Sequence, residues 1–514
     1  MSVVETSYGK VRGAEIADGV ITWRGIPYAR PPLADARLRP PQPPQPWAGV
    51  RDAAEYGDRS LQPEPIPEPG APPASEDCLY LNVTAAAGAR RRPVLFWIHG
   101  GGYEMGHGAG QAGHGFAFAQ SHGIVVVTFN YRLGALGFLD VEGESPAGAL
   151  GLHDQIAALW WTFQNIAAFG GDPMRITVYG LSAGGKTVTN LLASPRTRGI
   201  VRRAATSSGG DHIKSQAQAR ALAARFFQEL GTGPDGVRAV PAADILAAQM
   251  AIATPPHSSW IWRPSVDGAA LTSHPLTAIS AGVAAGIPLL AQTCAHECAY
   301  YQLLAPDAAE QADRVLTEYF GERGRDTLLA AYAAANPGLD DTALRVAVMS
   351  AERYLVRVGR LADAQSRHAP VYRSRYDGPY TGMPAEPEYA EWAQLAPLLD
   401  GAHGADGDAI FQGGDGLSGQ LHDAWGAFVT TGDPGWARYT VEKRNAMIFD
   451  PAGPHVATDP FAGVRQAWDE LDWQPGPWWR ALSSRLRWVP RCCWRAPSRL
   501  AMTSACGAGP GGCR

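Results

Sequence analysis

With 514 residues, 46% of them hydrophobic and 18% charged, the chain has enough apolar material for a large buried core. A formal net charge of -5 leaves no basic footprint for nucleic acid, so no nucleic-acid partner is expected. No apolar run is long enough to span a bilayer, and the N-terminal "MSVVETSYGKVRG" lacks the basic-then-apolar order of a signal peptide, so no stable membrane insertion is expected.

The proline-rich runs "PQPPQPW" and "QPEPIPEPGAPPASED" are too stiff and polar for a helix or a central strand and read as surface loops. Apolar, β-branched strands of the buried kind follow at Arg92–Gly101, Gly123–Arg132 and Arg175–Gly180. Between the last two, "GLHDQIAALWWTFQNIAAF" carries its apolar residues at helical spacing. Ala204–Met250 and Pro306–Asp363 read as mainly helical cap regions, and further strands fit Ile287–Thr293 and Ala369–Tyr376. Such alternation predicts an α/β fold with a mostly parallel central sheet and helices on both faces. Ligands in such sheets bind beyond the carboxyl ends of the strands.

Residues 1–472 read as one catalytic unit. After Asp472 the chain has no acidic residue and accumulates arginine, tryptophan and cysteine, so residues 473–514 read as a disordered or non-catalytic tail. Cys78, Cys294 and Cys298 in the body do not make a disulfide framework, and a cytoplasmic, reducing setting is expected.

The stretch "ITVYGLSAGGKT" (Ile176–Thr187) matches two motifs with incompatible backbones. Gly180-Leu181-Ser182-Ala183-Gly184 is G-x-S-x-G, a sharp turn that thrusts a serine nucleophile upward. Gly180 to Thr187 is also G-x-x-x-x-G-K-T, a wide loop that wraps phosphate. "HGGGY" (His99–Tyr103), directly after the first buried strand, favours the first reading. Its glycines let backbone N–H groups approach a substrate oxygen, and Gly101, Gly102 and Ala183 become the candidate oxyanion hole. A P-loop leaves HGGGY unexplained, so an NTPase is disfavoured. His99 precedes the glycine loop, where a role in positioning backbone suits it better than one as a base.

The chain resembles the type-B carboxylesterases of the α/β-hydrolase fold. The resemblance runs from about Thr6 to Leu471 through "RGIPYARPP", "SEDCLYLNV", "WIHGGGY", "NYRLGALGF", "GLHDQIAALWWTFQNIAAFGGDP", the serine turn, "PSVDG", "WGAFVTTGDP" and "RNAMIFD". It implies a serine carboxylesterase working through an acyl-enzyme, with a triad in the chain order serine, glutamate, histidine. Glu297, in "AQTCAHEC", takes the glutamate place of a motif like G-T-x-x-D-E-G, with Gln292, His296 and Cys298 as departures. His403, in "HGADGDAIF", takes the histidine place of a motif like H-x-x-E-x-x-F-V-F, with Asp406 in the glutamate slot. Leu181 stands where the family usually has glutamate, and the loop ahead of "SEDC" has no aromatic, so neutral short- to medium-chain esters are expected rather than choline esters. Trp260, Trp262 and Tyr103 are candidate pocket residues.

No metal or organic cofactor is implied: "CAHEC" lacks a complementary Cys/His cluster to complete a metal site. An esterase-like fold used only for binding is the alternative; such relatives typically lack the serine that this chain keeps. The only partner implied is a small-molecule ester, and oligomeric state is not legible.

Overall fold

The computed structural model describes residues 2–17, 19–64, 70–109, 115–144, 146–252, 261–299, 308–381 and 396–471. The tail and Trp260 lie outside the described residues.

The centre of the fold is a parallel run of strands in the order Val125–Phe129, Arg92–Ile98, Gly171–Leu181, Arg203–Ser207, Leu289–Cys294, Val371–Tyr376 and Asn445–Phe449. Antiparallel strands extend both edges: Tyr80–Ala86, Val20–Pro27 and the N-terminal strands on one side, His455–Thr458 on the other. Side chains alternate across the sheet with the two-residue period of a strand. Val94, Phe96 and Ile98 face one core with Leu152, Leu159 and Leu191 of the helices Leu150–Asn165 and Ala183–Ala193. Leu95 and Trp97 face the other, with Phe118, Phe411, Trp425 and Phe428. Burial on both faces is why these strands read as unbroken apolar runs rather than alternating ones.

The expected strands all form with shifted ends: most are shorter at one or both ends, while the one expected at Arg175–Gly180 runs longer, over Gly171–Leu181. One expectation needs correction: the region beginning at Ala204 is not helical at its start, because Arg203–Ser207 is a central strand. "RAATS" is short, an arginine followed by small residues, a pattern that periodicity cannot assign, and the flanking strands claim it by backbone pairing on both sides. Helices follow at Gln216–Leu230 and Ala242–Ile252. The second cap region contains Ala308–Ala335, broken at Gly321, then Asp341–Ser350, a π-helical turn Ala351–Leu355, and Val356–Ser366. It has its own small core of Leu316, Leu328, Tyr332, Val348 and Trp468. Among the described residues no helix is long and apolar enough to cross a membrane.

Candidate active site

Strand Gly171–Leu181 ends one residue before helix Ala183–Ala193 begins, so Ser182 alone makes the turn. Its backbone is strained, at φ 57 and ψ -117, a region that costs of order 1–3 kcal/mol for a non-glycine residue. The flanking glycines are required by contact. A Cβ on Gly180 would lie 2.2 Å from the Gly184 carbonyl carbon, and one on Gly184 would lie 2.0 Å from the Ile98 carbonyl oxygen. There is no wide loop here to wrap a phosphate. Lys186 and Thr187 are fully buried in the following helix, and burial holds the Lys186 amine well below its usual range. The stretch has the sharp strand–turn–helix backbone of the G-x-S-x-G reading and not that of a P-loop.

The HGGG segment packs against this elbow. A Cβ on Gly100 would lie 2.9 Å from the Leu181 carbonyl oxygen and 3.2 Å from Ser182 Cβ. Gly101, Gly102 and Tyr103 all take positive φ, curling the chain so that the N–H groups of Glu104 and Met105 both donate to Gly101 O. Helix geometry leaves the N–H of Ala183 without an intrahelical acceptor. No acceptor among the described residues takes the N–H of Gly101, Gly102 or Ala183. His99 braces the loop. Its Nδ1–H donates to Gly100 O at 2.9 Å, and its ring stacks on Tyr131 at 4.3 Å. Burial pushes its pKa down to about 3, so it stays neutral and is a weak base at ordinary pH.

Glu297 and His403 are brought together from 106 residues apart: His403 Nδ1–H donates to Glu297 Oε2 at 2.6 Å. Glu297 follows strand Leu289–Cys294, and its Oε1 accepts from the Cys294 N–H at 2.9 Å and from Ser208 Oγ at 2.6 Å. Ser208 follows the neighbouring strand, next to Ser207, whose carbonyl accepts the Ser182 N–H at 2.9 Å. Adjacent parallel strands therefore deliver Ser182, Ser208 and Glu297 to one end of the sheet. His403 stands at the mouth of helix Ala405–Gln412, whose Gly407 lies against Leu181. Tyr354, from the π-helical turn, stacks on the His403 ring at 4.4 Å.

Sequence reasoning missed Ser208 and Tyr354. Ser208 carries one signal, a hydroxyl just past a strand end in "TSSGG"; Tyr354 carries none, because it arrives from a distant helix. Tyr103 and Trp262 are fully buried in the main core rather than exposed to a pocket. Cys78, Cys294 and Cys298 are buried free thiols.

The sequence matches the carboxylesterase family over residues 1–452. It is 34% identical to the para-nitrobenzyl esterase of Bacillus subtilis, over 90% of this chain and 98% of the relative.

The chain belongs to the carboxylesterase family.

This carboxylesterase is also 33% identical to the fumonisin B1 esterase of Sphingopyxis macrogoltabida, over 87% of this chain and 86% of the relative. Among solved structures it superposes on a PNB esterase with a TM-score of 0.77 at 34% identity, covering 90% of this chain and 99% of that one. A Geobacillus stearothermophilus carboxylesterase gives a TM-score of 0.77 at 35% identity, covering 91% and 100%. The enzyme is a carboxylic ester hydrolase with the α/β-hydrolase fold, acting on small-molecule esters.

Proposed function

We propose that Ser182 is the nucleophile of this esterase, His403 its general base and Glu297 the carboxylate that orients the imidazole. The observation that carries this reading is the 2.6 Å Glu297–His403 hydrogen bond beyond the strand ends where Ser182 makes its turn. The carboxylate fixes the tautomer with Nδ1 protonated, which leaves Nε2 to take the serine proton. Ser182 Oγ then attacks the ester carbonyl, and the N–H groups of Gly101, Gly102 and Ala183 hold the oxyanion. His403 passes the proton to the leaving alcohol. Water, activated by the same histidine, releases the acid from the acyl-enzyme.

The substrates are neutral esters of short to medium acids. Leu181 beside the nucleophile supports this, since it offers apolar surface and no charge to a cationic group. The Bacillus subtilis relative is named for para-nitrobenzyl esters. The enzyme works in the cytoplasm, a setting supported by the three buried free thiols among the described residues. A fluorophosphonate probe followed by peptide mass spectrometry tests the nucleophile. The adduct belongs on the peptide containing Ser182, and an adduct on another serine alone would overturn the assignment.

A further inference from the structure

His122, His422 and Asp423 converge on the face of the sheet opposite the helix that follows Ser182. Each offers one ligand atom, and these atoms all lie within 4.8 Å of one another. His122 closes the C-terminus of helix Phe116–Ser121, while His422 and Asp423 are consecutive in helix Gly416–Thr431. His122 Nε2 stands 3.3 Å from Asp423 Oδ1, and the two imidazole centroids are 5.0 Å apart.

His422 is held as a ligating histidine is held. His422 Nδ1–H donates to Ile410 O at 2.8 Å, which fixes the tautomer and leaves Nε2 with its lone pair. Its ring also stacks on Phe118 at 4.4 Å. His422 is only 4% exposed, and its Nε2 has no hydrogen-bond partner among the described residues. The Nε2 of His122 is buried too, with Asp423 Oδ1 at 3.3 Å but no hydrogen-bond geometry among the described residues. Gly426, one turn after His422, makes the space: a Cβ there would lie 2.4 Å from His122 Nε2. Arg92 is the nearby cation, and its Nη2 is bound to the His122 carbonyl rather than to the ring.

We propose that His122, His422 and Asp423 bind a divalent transition ion of the Zn²⁺ class, with water completing the coordination. Two imidazoles and one carboxylate suit Zn²⁺, Co²⁺, Ni²⁺ or Cu²⁺ and not Mg²⁺ or Ca²⁺, which prefer all-oxygen shells. Bonds of about 2.0–2.2 Å put tetrahedral ligand atoms about 3.4 Å apart, so the cluster must close in from separations of up to 4.8 Å. The Asp423 side chain, 73% exposed, is free to turn inward. The ion would clamp helix Phe116–Ser121 to helix Gly416–Thr431. Through Ile410 it would also brace the helix that follows His403. It takes no part in ester cleavage.

The test compares the chelator-stripped full chain with the His122→Asn/Asp423→Asn double variant, whose changes fall at the surface end of the cluster. Zn²⁺ is titrated calorimetrically into each, and melting is followed with and without the ion. The wild type should bind one more equivalent of Zn²⁺ than the variant. Its melting temperature should rise with Zn²⁺ concentration while the variant's does not. Any thiol-bound metal is common to both proteins and cancels in the difference. Equal stoichiometry and equal melting responses would overturn the site.

Discussion

Gln292 Nε2 donates a 2.6 Å hydrogen bond to Asp406 Oδ2, so two departures from the family pattern turn out to be one contact. Aspartate is one methylene shorter than the glutamate usual at that position, and the glutamine side chain fills the distance. Gln292 Oε1 in turn accepts from Ser374 Oγ at 2.9 Å, and Cys294 Sγ lies 3.5 Å from Asp406 Oδ1. All of these groups are buried under the Glu297–His403 pair.

The contact makes the two positions energetically coupled. Asp406→Ala leaves the Gln292 amide buried without its acceptor, a loss of about 1–3 kcal/mol. Asp406→Glu alone crowds Gln292, and Gln292→Ala alone opens a cavity. The double variant Gln292→Ala/Asp406→Glu should recover about 1 kcal/mol or more relative to the sum of the singles. Urea denaturation of the four proteins reads this directly, and additive losses would show that the positions do not communicate.

Ser208→Ala removes one of the two hydrogen bonds on Glu297 Oε1. A bond to a charged carboxylate contributes about 1.5–3 kcal/mol, so kcat should fall roughly 10- to 100-fold with KM little changed. The backbone strain at Ser208, φ 52, is the same for alanine and does not confound the comparison. An unchanged kcat would remove Ser208 from the catalytic support.

Gly100→Ala tests the seating of the oxyanion loop. Gly100 does not take a positive φ, so alanine costs little in the backbone. Its Cβ instead meets Leu181 O and Ser182 Cβ and must push the loop away from the elbow. A displacement of that size should lower kcat by about 10² or more while circular dichroism stays native. Full activity would mean that the loop tolerates movement and that its N–H groups are not placed for the oxyanion.

His99 makes the fold acid-labile. Its pKa in the folded state, about 3, is below its ordinary value of 6.5. Between these values the unfolded chain takes up a proton that the folded one refuses. Stability is therefore lost as pH falls from about 6.5 towards 3, by up to about 1.4 kcal/mol per pH unit from this group. His99→Asn keeps a donor for Gly100 O but cannot titrate. It should lose some stability at pH 7, with the Tyr131 stack gone, yet show a shallower decline between pH 6.5 and 4. Equal slopes would assign the acid response to other groups.

Much of this was legible in the sequence because the signals were local. The elbow is five consecutive residues, the glycine loop directly follows an apolar strand, and the buried strands announce themselves by composition. Strand Arg203–Ser207 was not legible, since an arginine followed by four small residues carries no period and sheet pairing alone decides their state. The Gln292–Asp406 contact was visible only as two unrelated anomalies, because it joins residues 114 apart. Ser208 and Tyr354 act on Glu297 and His403 from other elements, and only the packing of those elements reveals them.

Ser182 is proposed to perform the chemistry. The most direct measurement is hydrolysis of p-nitrophenyl butyrate by the purified protein and by Ser182→Ala, with folding checked by circular dichroism. A folded variant whose turnover has fallen by several orders of magnitude is the expected result. Equal turnover in the two proteins would contradict it.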